Sequence, residues 1–337
     1  MQPALDNRPT AMPRSTRMRR MCEEIYGIMP KAPQHLDTEI ISEDRCFAAG
    51  KAVLKKQNLI IELEDKRIKM PFTAVVPSLG HPCPAVIYIG CEKEVPNRYL
   101  PAEEIIDRGY AIFTFFYDEA APNNGDFKKG IAAHIARSRR SKAAPGKIAV
   151  WAWAAMRLTE HAASLEYIDG KNIAVSGHGL MAKAAMLAGA LSKECSFIIA
   201  NDPLSAFGSC GLPSVENARY VDCPYLFSPA FSKKPCKDEH SILLSLCAPK
   251  NILIGSAIDD IQSDPASEYE MLISLTNEGY LPIGMKGISQ KEKIPAMPCC
   301  IQDGDISFHA RAGRSYFGRE DWNIYLDFID KKMAKSR

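Results

Sequence analysis

Residues 172–190 read NIAVSGHGLMAKAAMLAGA. Asn172 to Ser176 is a short apolar run of strand length, Gly177-His178-Gly179 is a tight turn, and an Ala/Leu/Met-rich helix follows at once. A strand delivered straight into a helix is the building step of a parallel sheet with helical crossovers. Neighbouring segments repeat the step. PAVIYIG (84–90) predicts a strand, and PAEEIIDRG (101–109) predicts a helix opened by proline and closed by glycine. YAIFTFFYD (110–118) is apolar throughout most of its length, as a central parallel strand requires. Residues 149–168 have helical periodicity stopped by Asp169-Gly170, and SFIIAND (196–202) and KNILIGS (250–256) are further strands. An apolar run near Ala296–Ile301 and an amphipathic helix from Arg319 close the chain. The expected fold class is α/β, with a doubly wound, mostly parallel sheet flanked by helices. Upstream, Pro3, Pro9, Pro13, Pro30 and Pro33 break up any long element, so residues 1–56 are expected to be an irregular extension with one short helix near Met21–Tyr26. The α/β domain is expected over 57–337.

The chain of 337 residues is 46% hydrophobic and 24% charged, enough to bury a sizeable core. A net charge of +2 gives no global attraction to nucleic acid or anionic membrane. No apolar run reaches the length of a membrane span, and the N-terminus lacks the apolar stretch of a secretory leader. The 11 cysteines are scattered without zinc-site spacing, which predicts reduced thiols in a cytoplasmic protein, with Cys299-Cys300 in a strand. No metal or cofactor is called for. The basic stretch 127–147 is read as a solvated loop rather than a phosphate-binding element, because no aromatic residues interleave for stacking.

The 172–190 segment has the form of a nucleophile elbow, in which G-x-S-x-G lifts a serine hydroxyl above the sheet on a strained turn. Here the central residue is Gly179. Several segments in order resemble the glucuronoyl-esterase-like branch of the α/β-hydrolases, carbohydrate esterases that cleave uronate or acetyl esters. They are GYAIFTFFYDEAAPN, the stretch from Val150 through Leu191, IIANDPLSAFGSCG, the run from Asp238 to Leu272, and ISFHARAGRSYFGREDWNIYLDFID. The resemblance covers roughly residues 70–333 and implies the α/β-hydrolase fold. Carried over by position, it puts the nucleophile at Gly179, the oxyanion-holding arginine at Leu180 and the catalytic histidine at Ser315, while Lys183 keeps the elbow lysine. Asp259 or Asp260 remains as an acid after the seventh strand, with Asp260 the favoured remnant. Acyl transfer needs a hydroxyl, an imidazole and an orienting carboxylate acting as a unit. The implied protein is therefore an esterase scaffold with a vestigial site, a pseudoenzyme, with sugar-ester or small-ligand binding through Lys183, His178 and His309, and no nucleic-acid or membrane partner.

Two other readings use the same residues. Strand IAVS, then Gly177-x-Gly179-x-x-Ala182 opening a helix, then a strand ending in Asp202, has the form of a dinucleotide-binding fingerprint. Alternatively an active hydrolase has a displaced apparatus, with Ser176 or Cys210 as nucleophile and His178 or His309 as base. For each, the plainer reading is structural: Ser176 faces the sheet, His309 holds its loop, and Cys210 is buried and inert. Trp151 and Trp153 are read first as packing, and Glu268 and His240 as surface or capping groups.

Overall fold

The computed structural model describes residues 12–63, 66–139, 141–203, 223–233, 238–260, 263–289 and 294–336. Its strands are β1 (His35–Cys46), β2 (Ala52–Leu63), β3 (Lys66–Pro77), β4 (Cys83–Gly90), β5 (Ala111–Phe116), β6 (Ile168–His178), β7 (Phe197–Asn201), β8 (Asn251–Ala257), β9 (Cys299–Ile301) and β10 (Ile306–Arg311). They form one sheet in the order β1-β2-β3-β5-β4-β6-β7-β8-β10-β9. The block from β5 to β10 is parallel, and β1, β2, β3 and β9 pair antiparallel at the two sides.

The central strands are apolar on both faces, and their alternation assigns each residue to one of two cores. Ala85, Ile87 and Ile89 of β4, Phe113 and Phe115 of β5 and Val175 of β6 enter one. Val86 and Tyr88, Ile112 and Ala174 of the same strands enter the other. The period of two in a strand makes this two-sided layering unavoidable once apolar residues predominate on both faces. The helices α3 (Lys147–Ala163), α4 (Leu180–Leu191), α6 (Glu239–Leu246) and α7 (Pro265–Leu275) close the first face, and α2 (Ala102–Asp107) and α8 (Arg319–Ser336) the second. Two short helices complete the described set used below: α1 (Arg14–Arg19), continued by a π-helical turn through Ile25, and α5 (Pro229–Lys233). Among the described residues, no helix is long and apolar enough to cross a membrane.

Two expectations are corrected. Residues 35–56 are not irregular: β1 and most of the first half of β2 form a long antiparallel hairpin, and a division at residue 57 would cut through β2. The prolines all lie before His35 in the sequence, and β1 gives no alternating signal because its residues after Thr38 are all exposed. Its register shifts between Ile40 and Ser42, leaving Ile41 as a bulge that is 61% exposed. The helix near Met21 begins earlier than its sequence signal, at Arg14.

The two kinds of apolar residue predict opposite sensitivities. Phe113→Ala, at a fully buried central position, should lower stability by about 3–5 kcal/mol. Ile41→Ala should stay within about 0.5 kcal/mol of wild type. Urea-unfolding midpoints compare them directly.

Candidate functional site

The site forms where β6 ends. Gly179 caps α4 with φ 58° and ψ −121°, a conformation costly for any residue with a side chain, and its N–H donates to the Asn201 carbonyl at 2.9 Å. Gly177 is required for a different reason: a Cβ there would stand 2.2 Å from the Met181 carbonyl oxygen. The elbow geometry is thus present, and the residue at its apex has no nucleophile.

Ser315 lies opposite, after β10. Its hydroxyl donates to Asp202 Oδ2 at 2.9 Å, and its backbone N–H donates to Asp260 Oδ2 at 3.2 Å. Asp259 Oδ2 in turn accepts the Gly313 N–H at 2.8 Å. The two acids after β8 therefore hold the backbone of the 313–315 loop, and the carboxylate that meets the side chain at position 315 is Asp202. The sequence presents Asp202 as a ribose-binding acid, so this pairing was not legible; the signal for it was only its place at the end of a parallel strand. Asp202 itself has φ 51°, unusual for a residue with a side chain. It is almost wholly buried, and burial raises its carboxyl to about 6, against the opposing pull of Ser315 and Arg311. Arg311 Nη2 lies 3.5 Å from Asp202 Oδ2, and Arg311 Nε lies 3.3 Å from Asp321 Oδ1.

Neither candidate histidine is placed as a free base. His178 stacks on Tyr99 at 5.7 Å between ring centroids, and its Nδ1 accepts from the Asn201 side-chain amide at 3.0 Å. Burial lowers its pKa to about 4, so the ring is neutral near pH 7. His309 sits on β10 with Nε2 3.6 Å from Asp321 Oδ1. Burial pushes its pKa down, but Asp321 and Cys300 outweigh this and raise it to about 9. The Asp321 carboxylate beside it favours the protonated ring.

Lys183, on the first turn of α4, is fully buried rather than presented to solvent. Its ammonium pairs with Glu239 Oε2, while the Tyr26 hydroxyl donates to Glu239 Oε1. Glu268 and His240 are likewise buried, which corrects their reading as surface groups; burial raises the Glu268 carboxyl to about 8 and keeps His240 neutral. The Ser176 side chain is fully buried in β6, away from the elbow apex. Trp151 donates to the Ala121 carbonyl at 2.9 Å and Trp153 to the Pro30 carbonyl at 3.3 Å, so both serve packing. Cys210 lies outside the described residues. Among the described residues, no group of three or more His, Cys, Asp or Glu side chains could hold a metal ion.

A family model described as "Glucuronyl esterase, fungi" matches residues 60–211. Carbohydrate esterase MZ0003, from an unknown prokaryotic organism, is 27% identical over 249 residues, 69% of this chain and 56% of that protein. The match thus spans little more than half the length of that relative. A glucuronoyl esterase from Solibacter usitatus has the same fold, with a TM-score of 0.81 at 23% identity over 95% of this chain and 92% of that one. A variant glucuronoyl esterase from Sporotrichum thermophile, solved in complex with methyl 4-O-methyl-β-D-glucopyranuronate, gives 0.60 at 17% identity over 94% and 81%. The chain thus has the α/β-hydrolase fold seen in the glucuronoyl esterases, and it is similar to that family in sequence over residues 60–211.

Proposed function

We propose that this chain retains the esterase scaffold without its acyl-transfer chemistry, and that its role is to bind a small ligand of the uronate or sugar-ester class. The observation that carries the reading is Gly179 in the elbow conformation, φ 58° and ψ −121°. The turn that would present a serine is built, and no hydroxyl stands on it, so no covalent acyl intermediate can form there. The other positions agree. Leu180 offers no guanidinium to a developing oxyanion. Ser315 cannot accept a proton as an imidazole does, His178 has its Nδ1 committed to Asn201, and Asp321 favours a protonated His309. The dinucleotide reading is disfavoured because the Asp202 carboxylate, which would bind ribose, is buried against Ser315 and Arg311. The uronate class comes from what the relatives act on or hold. Because Lys183 is sealed against Glu239, a ligand would meet the elbow backbone and His178 rather than that ammonium.

The test is hydrolysis of p-nitrophenyl acetate and of a methyl glucuronate ester at high protein concentration. Wild type should run at the buffer rate. Gly179→Ser/Ser315→His should gain turnover, because Asp202 already holds the side chain at position 315 and would orient an imidazole there. The expected gain is on the order of 10²–10⁴-fold, the usual contribution of a positioned base. Wild-type turnover that vanishes on mutating Ser176, His309 or Cys210 would overturn the reading.

The His309 ion pair gives a separate expectation. Its folded pKa of about 9 lies above the ordinary 6.5. The native state therefore holds a proton between these values that the unfolded chain has released. Its contribution to stability is complete below pH 6.5 and is lost as pH rises through 9. His309→Gln should lack this decline in a series of denaturant midpoints between pH 6.5 and 9.

A further inference from the structure

Away from the elbow, the basic stretch 127–147 is already committed to packing. Arg139 and Lys147 are not solvated as expected: both gather on the Phe127 ring, and both donate to backbone carbonyls. The thiols are a different matter. Cys195 and Cys247 are buried, and burial pushes the Cys195 thiol up to about 11. Cys91 is pushed up to about 11 for the same reason. Thiols raised in this way are inert near neutral pH, because the thiolate is the reacting form. Among the described residues, Cys46 and Cys300 are the exposed ones.

Cys300 stands in the middle of β9, the outermost strand on its side of the sheet. β9 pairs antiparallel with β10, and Cys300 lies directly across from His309. Residues opposite one another in such a pair share a face. Cys299 and Ile301 pack toward the first core, so the period of two turns Cys300 and His309 to the other face, under α8. There the His309 ring meets the Tyr325 ring edge-on at 6.3 Å between centroids, and its Nε2 lies 3.6 Å from Asp321 Oδ1. Asp321 is oriented in turn by the Gly318 N–H, which donates to Oδ2 at 2.9 Å. Arg311, two residues along β10, brings its Nε to 3.3 Å from Asp321 Oδ1. An exposed thiol, an imidazole and an oriented carboxylate thus follow one another in the order that activates a nucleophile.

The imidazole is also open to the sulfur. His309 is 6% exposed, and neither ring nitrogen has a hydrogen-bond partner among the described residues. Burial works against its charge, but Asp321 and then Cys300 outweigh that and favour the protonated ring. An imidazolium next to a thiol favours the thiolate. Cys46 has no such neighbour: across from it β2 runs Ala52-Val53-Leu54, and its N–H donates to Asp44 Oδ1 at 2.8 Å.

We propose that Cys300 is a reactive thiol, a modification site that forms mixed disulfides with low-molecular-weight disulfides. Cys300 releases its proton to solvent, and the thiolate attacks one sulfur of R–S–S–R. The new S–S bond forms as the old one breaks, and R–S⁻ leaves with the electron pair and is protonated by water. The disulfide is the oxidant: the Cys300 sulfur is oxidised and the departing half of the reagent is reduced to R–SH. His309 keeps its proton beside Asp321 throughout. Cys299 does not resolve the adduct, because adjacent side chains of an extended strand point to opposite faces. An anionic reagent suits the site best, since His309 and Arg311 both lie on the face that Cys300 shares. None of this depends on what the elbow binds.

The test is modification of the folded full chain with oxidised glutathione, and separately with iodoacetate and iodoacetamide, each quenched over time and mapped by peptide mass. Cys300 should form the mixed disulfide about tenfold or more faster than Cys46. Relative to Cys46, it should also favour the anionic iodoacetate over the neutral iodoacetamide, a preference that exposure alone does not produce. His309→Gln should bring the Cys300 rate down toward that of Cys46 and weaken the preference. The two wild-type comparisons keep the proposal open to refutation if that variant fails to fold. Cys300 reacting no faster than Cys46, the same probe preference at both thiols, an unchanged rate in folded His309→Gln, or a Cys299–Cys300 disulfide in place of the adduct would each overturn it.

Discussion

The site depends on a close approach between two stretches of backbone. At the β6–α4 turn there is no room for a side chain at Gly177, whose notional Cβ would lie 2.2 Å from the Met181 carbonyl oxygen and 2.8 Å from the Ala182 nitrogen. The helix is therefore seated against the strand by main-chain contact, with no side chain as a spacer. Its seat decides where Lys183 enters the interior to meet Glu239, and where Gly179 hands its N–H to Asn201 on the next strand. The region around the turn inherits its position from that contact. The shape of the turn is therefore fixed by packing, independently of which side chain stands at its apex.

Buried charges beside the turn are gathered into one network. Asp202, Arg311, Asp321 and His309 form an alternating chain of acid and base running from the end of β7 through β10 to α8. Burying such groups is expensive unless each finds a partner. Ser315 adds a neutral donor to the set by giving Asp202 its hydroxyl.

How much of this was legible in the sequence depended on whether the controlling neighbour lay nearby in the chain. The parallel strands announced themselves through unbroken apolar runs, and the elbow through its two glycines. The strand β1 was invisible because an edge strand exposed on both faces carries no alternating pattern. Lys183 read as a ligand contact because nothing local shows that Tyr26, from the opening segment, closes over Glu239 beside it. Glu268 and His240 failed in the same way: a charged residue in a helix reads as surface until its packing is known. Asp202 was noticed, but its role turned on the distant Ser315. Phe127 passed for one apolar residue among lysines, although its ring is what gathers Arg139 and Lys147.

A glycine at the apex of the elbow also sets a direction for change. A side chain held at φ 58° and ψ −121° costs on the order of 1–3 kcal/mol. Glycine carries no such cost at this turn, so a Gly179→Ser change would add the strain to the fold and would place a hydroxyl beside a loop that holds Ser315 rather than an imidazole.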